Sequence, residues 1–175
     1  MDAKRVARAG VMVALLAVSA QVMVPLGPVP VTLQTLVLAM LATALDAPSA
    51  LLAIGAYVLL GTLGMPVFSG FMGGIGALAG PTGGYLWGFI LGIAAAGIVR
   101  RVLGRQANGY AGGLFAAACM LLVAYVCGTV QLMALLSLDL AGALAVAVVP
   151  FVVPDAIKLA VGVRVGMTVR RAFRL

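Results

Sequence analysis

The chain contains no histidine, and its four acidic residues, Asp2, Asp46, Asp139 and Asp155, leave no glutamate. Without His or Glu, a zinc, di-iron or His-based catalytic centre has almost no ligands or bases to draw on. The pattern G-x-x-x-x-G-K-[ST] is also missing, which excludes ATP hydrolysis by a P-loop in this chain. Energy, where needed, comes from a partner or a gradient. Cysteine is scarce: Cys119 and Cys127 lie in one apolar run, and eight residues of helix separate them by ~12 Å, too far for a disulfide. They read as small apolar residues of a membrane helix. The apolar runs also lack the ten-residue alternation of a membrane β-barrel. Charged residues of either sign make up only 9% of the chain, well below a soluble domain.

What is present is apolar. Hydrophobic residues make up 65% of 175 positions and the mean hydropathy is +1.25. The expected class is an all-α polytopic membrane protein, one integral domain over 1–175 with no soluble domain attached. The net charge of +7 does not point to nucleic acid. Its bearers cluster as Lys4, Arg5 and Arg8, as Arg100, Arg101 and Arg105, and as Arg170, Arg171 and Arg174. Each cluster flanks an apolar run, the form of the positive-inside rule.

Runs and breakers predict helices at about 6–24, 33–44, 48–64, 85–103, 112–136 and 154–172. The first has the basic start, apolar middle and "AVSAQ" of a secretory signal, but is read as a retained helix. Between helices lie the proline-rich "PLGPVPVT", 25–32, and a long structured loop, 64–84, rich in glycine. The segment 139–149 is short enough to be re-entrant or interfacial, and Pro154 suits the first turn of the last helix. Six crossings put all three basic clusters, and both termini, on the cytoplasmic side. The two loops and the start of the last helix then gather on the outer side.

Two groups of residues carry the functional reading. Asp155 and Lys158 sit three apart in the apolar "FVVPDAIKLAVGV", expected in the first turn of helix six, with Gly162 and Gly166 continuing their face. Ionisable residues inside a span are costly and usually serve a ligand or a pathway; an ion pair satisfied within packing is the alternative. The glycine-rich loop offers close backbone approach to a ligand, with Gly83 and Gly84 expected in glycine-only conformations and Phe68, Phe71 and Tyr85 as walls. Its "GIGALA" matches G-x-G-x-x-A, but no βαβ unit surrounds it, so no nucleotide site is read. The residues alone point to a small solute with a polar head. A second feature is the stripe Ala3, Ala7, Gly10, Ala14 and Ala17, a narrow face for another helix, either of this chain or of a partner. A membrane enzyme is disfavoured, because no nucleophile and base are paired.

The segments "ALLAVSAQVMVPLGPVPVTLQT", "GMPVFSGFMGG", "GPTGGYLWGF" and "PDAIKLAVG" resemble, in order and over nearly the whole chain, the BioY family, the biotin-specific S components of energy-coupling factor (ECF) transporters. The resemblance implies a six-helix bundle that captures biotin at the outer face of a bacterial or archaeal cytoplasmic membrane. It also implies partners: a transmembrane T component and two ATP-binding cassette ATPases, with membrane lipid around the chain and no cofactor or metal. Residue by residue it carries Asp155 and Lys158 as polar ligand contacts, Thr82, Gly83, Gly84 and Tyr85 as the loop motif, and Gln34 as a contact from the first loop. It carries part of the stripe, Ala3, Ala7, Gly10 and Ala14, as a docking face. The segment "FSGF" departs from the family, lacking the Asn that some members carry there. The alternative function is a stand-alone carrier of biotin or a related vitamin working without an ATPase.

Overall fold

The computed structural model describes residues 3–172; Arg174 of the third basic cluster lies outside them. The elements are α1 (Ala3–Gln21), β1 (Met23–Val24), β2 (Val31–Thr32), α2 (Gln34–Ala44), α3 (Ala47–Thr62), α4 (Ile75–Ala79), α5 (Gly83–Leu103), α6 (Tyr110–Leu136), α7 (Leu140–Ala147) and α8 (Val149–Ala172). Short 3-10 turns stand at Ser69–Phe71 and Gly104–Asn108. The result is an all-α bundle whose two strands form only a small antiparallel hairpin, Met23 opposite Thr32 and Val24 opposite Val31.

Breakers set the helix ends. Pro48 stands in the first turn of α3, where a missing N–H costs nothing. Gly104, at φ +53°, ends α5, and Ser137 ends α6 in the left-handed region. Asp139 caps α7, its carboxylate accepting from the Gly142 N–H at 3.0 Å. Gly83–Asn108 and Tyr110–Leu136 are each long and apolar enough to cross a membrane, and α7 with α8, bent by 41°, passes together. By contrast α2 has 11 residues and rises only ~16 Å, about half of a ~30 Å hydrocarbon core. The Leu33 N–H bonds back to the carbonyls of Ser19 and Val22, which gives a backbone donor at the start of α2 its partners and ties α2 to the end of α1.

Small residues build the two most extensive helix contacts. Along α5, Gly84, Gly88 and Gly92 lie against Cys127, Ala124 and Met120 of α6, so closely that an added Cβ would come within 2.5–2.6 Å of α6 backbone atoms. Positions rise on one helix as they fall on the other, an antiparallel seam of small residues spaced by four. The contact of α2 with α8 is parallel. A Cβ at Gly162 would meet the Leu36 carbonyl, and one at Gly166 the Thr43 hydroxyl and the Met40 carbonyl. The helix expected to face "GVRVG" is thus α2.

One boundary differs from expectation in a way that affects the site. The last helix begins at Val149, with Pro150 in its first turn and Pro154 inside it. Proline at the second helical position lacks an N–H that would be unpartnered anyway, so the helix starts a turn earlier than a reading from Pro154 suggests. Asp155 is therefore in the second turn, not at a helix N-terminus, and its charge is balanced by side chains.

Candidate functional site

At the end of the bundle where α2 and α5 begin, a cavity of about 600 Å³, its open mouth included, is bounded by the turn before β2, the 64–84 loop, α5, α6 and α8. Asp155 and Lys158 form one wall. Their side chains meet at 2.5 Å, and both residues are buried, at 2% and 8% exposure.

Three helices hold this pair. The Thr35 hydroxyl on α2 donates to Asp155 Oδ1 at 2.8 Å, and the Tyr125 hydroxyl on α6 donates to Oδ2 at 2.8 Å. Lys158 Nζ also donates to the Thr32 carbonyl at 2.7 Å, tying α8 to β2. A carboxylate has about four acceptor positions and an ammonium three donors; these contacts use three of the former and two of the latter. One acceptor and one donor remain on groups that line the cavity. A buried ion pair adds little stability over apolar packing of the same volume, and this one stands on a cavity wall.

Gln34, at the first position of α2, is the second polar group. Its Nε2 donates to the Tyr57 hydroxyl at 2.9 Å, and that hydroxyl donates to the Val67 carbonyl at 2.9 Å. Its Oε1 accepts from the Thr32 hydroxyl at 3.2 Å. The amide is held, with its second Nε2 hydrogen still available. Opposite stand aromatic walls, each resting on a glycine. The Phe68 ring lies where a side chain on Gly61 would be, and the Tyr85 ring where one on Gly128 would be. Phe68 meets Tyr57 edge-on at 5.5 Å between centroids, and the Tyr85 hydroxyl donates to the Ala147 carbonyl at 2.5 Å. Glutamines latch the loop that carries Phe68: Gln21 Nε2 donates to the Phe68 carbonyl, and Gln131 Nε2 to those of Leu78 and Gly80.

The structure thus brings together Asp155, Lys158, Gln34, Thr82, Tyr85 and Phe68 on one cavity. It does not bring the other three site residues there. Gly83 and Gly84 are in α5 with helical backbone, not in glycine-only conformations; a Cβ on either would strike Leu78 or Cys127 carbonyl oxygens. Their smallness serves close packing under the loop. Phe71 is 70% exposed, turned out of the cavity by a backbone φ of +57°. The residues missed by sequence reasoning are Thr35, Tyr125, Phe89 and Phe151. Thr35 had a signal, a hydroxyl next to Gln34 at the start of an apolar helix; Tyr125 lies 30 residues from Asp155, and no local pattern joins them. On α1, the helix buries Ala9, Met12, Leu16, Ser19 and Ala20, while Ala3, Ala7, Gly10 and Ala14 are exposed and Ala17 is half-buried. No atom lies within 4 Å of a Cβ built on Gly10.

Comparison with known proteins bears on this architecture. Over 168 residues, 96% of each chain, the sequence is 38% identical to a biotin transporter BioY of Thermotoga maritima. Over 100 residues, 57% of this chain and 62% of the relative, it is 44% identical to a probable biotin transporter BioY of Pyrococcus horikoshii. The fold superposes with a TM-score of 0.88 on the crystal structure of an S component for biotin from an ECF-type ABC transporter, covering 96% of this chain and 91% of that one at 23% identity. The BioY family model matches residues 1–175. A multi-pass helical membrane chain with this bundle, matched from end to end by that model, belongs to the BioY family.

Proposed function

We propose that this chain is a biotin-binding S component of an ECF-type importer, taking biotin into the cavity at the outer face of a cytoplasmic membrane for ATP-driven uptake. The observation that carries this is the buried Asp155–Lys158 pair on the cavity wall with a donor and an acceptor to spare. Biotin presents a ureido ring that both donates and accepts hydrogen bonds, an apolar thioether ring and chain, and a carboxylate. An ammonium, a carboxylate, the Gln34 amide and the Thr82 hydroxyl serve its polar groups, and Phe68 and Tyr85 its apolar surface, the usual apolar pocket with few fixed polar groups.

The proposed partners are a T component and two ATPases, with the exposed face Ala3, Ala7, Gly10 and Ala14 as the docking surface. Six crossings place the basic ends of α1, α5 and α8 in the cytoplasm with both termini. The test is a binding titration of the purified chain with biotin, biotin methyl ester, riboflavin and thiamine. Biotin is expected to bind, the ester more weakly, and the other two not at all; equal binding of all four, or none, rejects the reading. Uptake of biotin by this chain alone in ATPase-free vesicles points instead to a stand-alone carrier.

A further inference from the structure

At the end of the bundle opposite the cavity, whose Asp155 and Lys158 balance one another, a second recess is lined mainly by arginines. The start of α1 and the last turns of α5 and α8 meet there around the turn between α2 and α3. Two hollows open on it, of about 950 and 530 Å³ with their mouths. Arg100, Arg101 and Arg170 line the first, Arg5, Arg8 and Arg170 the second, and Asp46 stands in both. Among the described residues, five guanidiniums and one carboxylate line these hollows, and the carboxylate is the acceptor for the Ser49 hydroxyl at 2.7 Å. Arg100 Nη1 donates to the Ala42 and Leu45 carbonyls that end α2, which fixes one of the guanidiniums in place.

Planar guanidiniums suit phosphate oxygens, which they hold through paired N–H bonds. The surroundings indicate which phosphate. On α5, Leu91, Ile98 and Val102 share one face beside Arg101 and are 55%, 65% and 81% exposed. A row of apolar side chains running away from a basic recess at the end of a membrane bundle fits acyl chains below a headgroup, and basic pockets between helices are where anionic headgroups bind. We propose that this recess binds the headgroup of an anionic phospholipid, its phosphate held by Arg101, Arg170 and the Arg5–Arg8 pair, its chains on the Leu91–Ile98–Val102 face.

The test uses the full chain in neutral detergent, with phosphatidylglycerol or phosphatidylcholine titrated and bound lipid read by native mass spectrometry. Phosphatidylglycerol is expected to be retained and phosphatidylcholine not. Each arginine near a membrane surface is worth about fivefold in affinity, so Arg101→Gln with Arg170→Gln is expected to weaken phosphatidylglycerol at least about twentyfold. Arg105→Gln with Arg164→Gln removes the same charge from exposed positions outside the recess and is expected to leave binding unchanged. Biotin titration of the same samples reports on folding; should the double variant fail it, Arg101→Gln alone is expected to lose about fivefold. Equal loss in the control pair means diffuse attraction and overturns the site. Full displacement by millimolar inorganic phosphate means a free-anion site and overturns the lipid. Retained lipid with lost copurification of the T component assigns the arginines to a protein partner and overturns the proposal.

Discussion

The α5–α6 and α2–α8 contacts are made by the same device and end differently. Both bring backbones together over small residues spaced by four. Between α5 and α6 the seam continues to the loop end, where Gly83 and Gly84 carry it under Leu78 and against Cys127. Between α2 and α8 it stops at Gly162 against Leu36, and one turn further Lys158, Asp155 and Thr35 take the places that small residues would fill. Polar side chains need volume and partners, and here they bond to one another and line the cavity. The first seam stays closed along its length; the second ends in a buried ion pair on a cavity wall.

The sharpest way to separate these roles is to remove the interrupting charge. Asp155→Asn and Lys158→Met are each expected to weaken biotin binding by about 2–5 kcal/mol, the cost of truncating a buried charged group that meets a binding partner, with the chain still monodisperse in detergent. Isothermal titration measures the first and size-exclusion chromatography the second. Loss of folded protein with no change in affinity of what remains makes the pair structural and erases the contrast.

Overpacking the unbroken seam tests its other half. With an added Cβ at 2.6 Å from the Ala124 Cα, Gly88→Leu is expected to cost about 1–3 kcal/mol or more of stability, read as a lower melting temperature of the detergent-solubilised chain. Biotin still stabilises whatever folds. A melting temperature equal to wild type would show that α5 and α6 can part without penalty.

Smaller effects are expected from the groups that aim the carboxylate. Thr35→Val and Tyr125→Phe each remove one hydrogen bond to Asp155, for a loss of about 1.5–3 kcal/mol in affinity or less. If both leave affinity unchanged, Asp155 does not need aiming and α2 contributes only packing. The smallest effect on biotin binding belongs to α1. Ala7→Trp and Ala14→Trp place bulk on the exposed face, far from the cavity, and are expected to leave biotin binding at wild-type level while abolishing copurification with the T component. Weakened biotin binding in both would place the stripe within the fold's own packing.

The α-helical class and the burial of Asp155 and Lys158 together inside the bundle were legible in the sequence, because both follow from the cost of burying polar groups. The α2–α8 seam was half legible: Gly162 and Gly166 announce a close neighbour without naming it. The α5 seam had the same signal in "GYLWGFILG", overshadowed by the glycines of the preceding loop, which suggested glycine-only conformations at Gly83 and Gly84 where the backbone is helical. Phe71 was misplaced because a loop aromatic carries no periodicity to say which way it points. The early start of α8 was hidden by two prolines, either of which could open a helix, and only the chain's course at Val148 decides between them. Tyr125 and Thr35 depend on contacts across 30 and 120 residues, a distance no spacing pattern covers.

Phe68 and Tyr85, each seated on a glycine and tied down by neighbours, have consequences for entropy. A side chain that is free before binding and fixed after it forfeits roughly 0.5–1.5 kcal/mol on immobilisation. Here Gly61 and Gly128 make the recesses, the Ala147 carbonyl takes the Tyr85 hydroxyl, and Gln21 holds the Phe68 backbone, so that the loss of rotamer freedom has already occurred during folding. A ligand then meets walls in their final positions, and affinity is gained by subtraction of disorder rather than by addition of contacts.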